Sequence, residues 1–112
     1  MTVYLDTSVV LRVLLRQAKP LREWRTWERA YTSELLGLEA RRAFDRIRLE
    51  GAVDVDDLIE LQRQLGIVEE AVAIVGLTRT LLRRAAMPMA LAVRTLDAIH
   101  LVSALGLEAI GA

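Results

Sequence analysis

The chain has 112 residues, 54% hydrophobic and 27% charged, with 15 basic and 15 acidic side chains and a net charge of zero. This is the profile of one globular domain with a real core, not of a disordered, fibrous or strongly polycationic chain. The absence of Cys excludes disulfides and thiolate metal sites, and without a basic-then-apolar leader or a run of about 20 apolar residues, a cytoplasmic protein with no membrane role is expected.

In chain order, Val3-Tyr4-Leu5 reads as a short strand, and Thr7 or Ser8 can cap a helix to about Leu15. Lys19-Pro20 breaks it, and Leu21 to Trp27 reads as a short helix or turn. Ala30-Tyr31-Thr32 fits a second strand, after which Ser33 caps a helix to about Leu49 that ends at Glu50-Gly51. Asp54 opens a helix over Val55 to Leu65, with Gly66 as its stop. The β-branched run Ala71-Val72-Ala73-Ile74-Val75 fits a third strand. Thr78 caps a helix to about Ala86, Pro88 marks a loop, and Thr95 caps a last helix to about Leu105, ended by Gly106. Strands alternating with helices predict an α/β fold with a mostly parallel sheet.

Three acids stand in apolar places. Asp6 falls where a strand ends and a helix begins, the edge at which parallel sheets bind ligands, although Asp is also a good helix cap. Glu39 shares an arc of its helix with Leu35, Leu36, Ala40, Ala43, Phe44 and Ile47. A carboxylate there needs a partner charge, a metal or a raised pKa, unless it snorkels or pairs with Arg42 or Arg46. Asp97 opens a helix that is apolar almost all round, where a first-turn acid is also favourable for the helix dipole. His100, the one histidine, shares a helix face with Asp97. The two could bind metal, but a lone His is more often a hydrogen-bonded core residue.

In a parallel sheet the helix starts collect on one edge, so the three acids would meet there and repel one another. A hard divalent cation neutralises such a cluster with oxygen ligands, acidifies a bound water and balances the charge of a phosphoryl group. That is the chemistry of phosphodiester hydrolysis. Fourteen of the fifteen basic residues are Arg, a side chain suited to phosphate, but a GC-rich genome produces the same bias. Asp54, Asp56 and Asp57 lack the rest of a calcium loop and read as an exposed helix start. Gly76-Leu77-Thr78 lacks phosphate-loop spacing. Trp24 and Trp27 could stack on bases, but core or interface is the commoner use of such a pair.

The segments YLDTSVVL, TSELLGLEARRA and RTLDAIHLVSAL resemble, in order and spacing, three leading motifs of PIN-domain nucleases. They are closest to the VapC toxins of bacterial toxin–antitoxin systems. The resemblance implies a three-layer α/β/α sandwich and cleavage of RNA with Mg²⁺ or Mn²⁺. It makes Asp6, Glu39 and Asp97 the catalytic metal-site acids, with Ser8 supporting the site by hydrogen bonding. Arg94 and His100 match positions that flank the third acid. It also implies a homodimer and a small antitoxin that blocks the site. Such proteins usually continue with a strand carrying a further Asp and a last helix, whereas this sequence stops at Ala112. The expectation is therefore a single PIN domain over residues 1–112, truncated at its C-terminus, with weakened metal binding and an exposed sheet edge. The alternative is an inactive PIN domain that binds an antitoxin or itself.

Overall fold

The computed structural model describes residues 2–15, 28–89 and 94–109, with side chains as far as Gly106. Their elements are β1 (Thr2–Leu5), α1 (Thr7–Leu14), β2 (Arg29–Ser33), α2 (Leu35–Leu49), α3 (Val55–Ala71), β3 (Ala73–Val75), α4 (Arg79–Ala85) and α5 (Thr95–Ala109). The three strands form a parallel sheet in the order β1-β2-β3, with Tyr4 opposite Tyr31 and Tyr31 opposite Ala73.

The layering follows from this order. Both crossovers step the same way across the sheet, and right-handed crossovers in one direction lay their helices on one face. Accordingly α1, α2 and α3 pack on one another, while α5 lies on β2 with α4 against it. This is the expected α/β/α arrangement.

The main core lies under α1–α3 and contains Leu5, Val10, Leu14, Ala30, Leu36, Ala40, Phe44, Leu61, Leu65 and Val68. Strand side chains alternate between faces. Val3 and Leu5 of β1 join this core, so Tyr4 turns to the other face, where it meets His100 of α5. Ala98, Ile99 and Val102 of α5 are buried beside it.

Local chemistry sets most boundaries. Ser33 Oγ accepts from the Leu35 N–H at 3.1 Å as α2 begins. Asp54 and Asp57 form a reciprocal capping box at the start of α3, so two of the three acids Asp54, Asp56 and Asp57 make a working helix start. Thr78 caps α4 through the Leu81 N–H, and Gly51 takes φ 75° just past the end of α2.

Several expected boundaries move. The cap of α1 is Asp6, as the cap reading of that residue expects, and Thr7 and Ser8 lie inside the helix. The residue flanking α2 is Glu34, with Ser33 still in β2; β3 starts at Ala73 because Ala71 belongs to α3; and Thr95 is the first residue of α5, not its cap. Gly66 does not stop α3, which runs to Ala71 because the buried stripe Leu61, Leu65, Val68 continues past it. Gly106 likewise lies inside α5, which begins at Thr95 with the Arg94 carbonyl accepting from the Ala98 N–H. The Lys19-Pro20 break, the Leu21–Trp27 segment and the Trp pair lie outside the described residues. Among the described residues no helix is long and apolar enough to cross a membrane.

Candidate active site

The end of β1, the first turns of α1, one face of α2 and the start of α5 border one cleft of about 570 Å³, lined by Asp6, Ser8, Glu39 and Asp97 together with Arg42 and Arg46. The four residues singled out from the sequence thus share one cleft, although their surroundings differ.

Asp6 directly follows β1 and caps α1, but its carboxylate is 3.5 Å from the Ser8 N–H. A bond that long is weak. The side chain is 52% exposed, so the cap leaves the carboxylate available to the cleft. Asp97 stands in the first turn of α5, is exposed, and makes no hydrogen bond or ion pair among the described residues. Ser8 is exposed, and only its backbone N–H has a partner there.

Glu39 is held instead of exposed. Its side chain is 22% exposed, and its Oε1 accepts from Thr7 Oγ1 at 2.8 Å and lies 2.7 Å from His100 Nε2. It therefore pairs with neither Arg42 nor Arg46; Arg42 bonds Asp45. Thr7 is buried, so the hydroxyl next to Asp6, not that of Ser8, reaches an acid of the cleft. His100 is also buried, and its Nδ1 lies 2.7 Å from the Tyr4 hydroxyl. Its Nε2 is 3.8 Å from Asp6, beyond hydrogen-bond reach. The imidazole is thus a hydrogen-bonded core residue that touches the site through Glu39.

Burial pushes the Tyr4 phenol up to about 12 from its ordinary 10.0, helped by the negative charges of Asp6 and Glu39 and opposed by the Ser103 and Ser33 hydroxyls. Tyr4 therefore keeps its proton at neutral pH and can donate to His100. Thr7 and Tyr4 are the residues that sequence reasoning missed. Alternation in β1 places Tyr4 opposite Leu5, off the main core, and that was the one signal available for it.

The PIN domain family model matches residues 3–110 of the sequence. The chain belongs to the PIN domain family. Comparisons with curated proteins and with solved structures returned no match. PIN domains are generally nucleases that use divalent metal ions, and the cleft can be tested against that requirement. Among the described residues no group of three or more Asp, Glu or His is set closely enough to form a ready-made metal cage. The donor chemistry nevertheless fits a hard cation, because carboxylates line the PIN-domain cleft and Asp6 and Asp97 are exposed. Mg²⁺ in particular is commonly held by one or two carboxylates and completes its shell with water and substrate phosphate.

Proposed function

We propose that this PIN domain is an endoribonuclease that hydrolyses RNA phosphodiester bonds with Mg²⁺ or Mn²⁺, and that it serves as the toxin of a VapC-type toxin–antitoxin pair. The observation that carries the reading is the convergence of Asp6, Glu39 and Asp97 on a cleft that Arg42 and Arg46 also line. The toxin role, the small cognate antitoxin and the homodimer rest on the three-motif resemblance to VapC toxins.

Asp6, Asp97 and Glu39 would hold the cation. When bound, it neutralises the carboxylates, stabilises charge on the phosphoryl group and acidifies a water. The protein's own part is positioning and electrostatics. Thr7 and His100 hold Glu39 in place. Arg46 is exposed and has no ion-pair partner among the described residues, which leaves its guanidinium available for a phosphate of the strand. Leu38 and Leu96 line the same cleft and are 61% and 46% exposed, an apolar surface that suits the faces of splayed bases.

The test is cleavage of end-labelled RNA by the purified chain with Mn²⁺, with and without EDTA, beside Asp6→Ala. Chelator-sensitive cleavage that is lost in Asp6→Ala is expected. Its absence with every divalent metal tried would overturn the nuclease reading and favour a binding module.

A further inference from the structure

We propose that His100 and Tyr4 are positioning residues for Glu39, acting as a directional hydrogen-bond chain that pins one carboxylate oxygen and leaves the other for the cleft. The effect on cleavage rests on the nuclease reading above; the chain of bonds does not.

Glu39 Oε1 is within hydrogen-bond distance of Thr7 Oγ1, at 2.8 Å, and of His100 Nε2, at 2.7 Å. Two donors occupy the two lone pairs of that oxygen. Oε2 has no hydrogen-bond partner among the described residues. The carboxylate is thus tethered at one oxygen, and it lines the cleft with Asp6 and Asp97.

The direction of the chain follows from what each group can donate. A carboxylate only accepts, so the proton of a neutral imidazole must sit on Nε2. Nδ1 then accepts, and the Tyr4 hydroxyl, 2.7 Å away, donates to it. The two rings also meet edge to face, with centroids 5.9 Å apart and planes at 73°. That packing holds the imidazole edge-on to the phenol. Because Asp6 is 3.8 Å from Nε2, the single N–H serves Glu39. Asp6 and Asp97 stay exposed, while Glu39 is fixed. Bonds from an outer residue to a liganding carboxylate set its orientation, and losing them typically costs about 10–100-fold in metal affinity or activity.

The chain contains one histidine, so its imidazole nitrogens can be read without assignment. In ¹⁵N-labelled, metal-free protein the long-range ¹H–¹⁵N spectrum should show a protonated Nε2 and an unprotonated Nδ1. Tyr4→Phe should shift the Nδ1 resonance. Glu39→Gln should shift Nε2. A neutral imidazole protonated on Nδ1 instead of Nε2, or a spectrum unchanged by both substitutions, overturns the proposal. In cleavage assays with Mn²⁺, His100→Ala should lower kcat by about 10–100-fold, with a much smaller change in KM. His100→Gln, whose amide N–H can reach the same oxygen, should recover part of the loss. Wild-type kcat in His100→Ala overturns the positioning role. Should His100→Ala not fold, Tyr4→Phe, which lacks a single hydroxyl, is judged by the same kcat comparison. If the spectra come out as expected but the wild-type protein cleaves no RNA, the chain of bonds stands and the nuclease reading alone fails.

Discussion

Thr7 and Ser8 are adjacent hydroxyls, and only one of them reaches an acid of the cleft. Thr7→Val tests that difference. The substitution keeps the shape and β-branching of a buried side chain and removes its hydrogen bond to Glu39 Oε1. A hydrogen bond to a charged group contributes about 1.5–3 kcal/mol net. The methyl that replaces the buried hydroxyl returns about 0.8 kcal/mol. The expected loss is therefore about 1–2 kcal/mol, which lowers the Tm of a domain this size by about 3–10 °C. Ser8→Ala should do almost nothing, because its hydroxyl has no partner among the described residues and exposed substitutions stay within about 0.5 kcal/mol. The assay is thermal unfolding by circular dichroism in metal-free buffer, with both variants beside the parent. A Thr7→Val Tm equal to the parent's, or a larger loss in Ser8→Ala, would refute the assignment of the supporting hydroxyl.

Asp97→Asn should abolish cleavage while changing stability by less than about 1 kcal/mol, since it removes a first-turn charge but also a like charge from the cleft; RNA cleavage and chemical denaturation check the two halves. Mn²⁺ at about 100 times its Kd should stabilise the folded chain by about 2.7 kcal/mol, and a Tm titration should show that rise disappear in Asp6→Ala. Gly51 has φ 75° with open space around it, so Gly51→Ala should cost about 1–2 kcal/mol from left-handed backbone strain alone, measurable by urea unfolding. The folded protein keeps the Tyr4 proton up to about pH 12, whereas the unfolded chain releases it near 10.0. That contribution is fully present below pH 10.0 and is lost as the pH rises towards about 12; denaturation curves across this range should show the decline, and Tyr4→Phe should flatten it.

Much of the fold is legible in the sequence because local chemistry and burial agree. On α2 the apolar arc that could be drawn from spacing is the buried face, with Leu35, Leu36, Ala40, Ala43 and Phe44 all inside. The strands are legible for the same reason. The helix ends that differ, those of α3 and α5, share a cause, since a glycine in the sequence suggests a stop. At Gly51 that reading matches the left-handed backbone. At Gly66 it does not, because the helix penalty for glycine is about 1 kcal/mol. Burying Leu61, Leu65 and Val68 along one continued stripe outweighs it.

The acids and their donors differ in how far apart in sequence they lie. A carboxylate inside an apolar arc is conspicuous by local pattern, and Glu39 could be singled out that way. The groups that make it tolerable come from elsewhere in the chain: Thr7 is 32 residues away and His100 is 61 residues away. The second of these is itself anchored by Tyr4, at a separation of 96. No periodicity connects such positions. Only the parallel sheet, which sets β1 beside β2 and carries α5 across the face opposite the main core, brings them within reach. The sequence could therefore say that Glu39 needed partners and name Arg42 and Arg46, its neighbours on the helix. The fold supplies donors from α1 and α5, with Tyr4 of β1 bonded behind the imidazole. This solution holds one oxygen of the carboxylate through groups that no helical spacing connects to it.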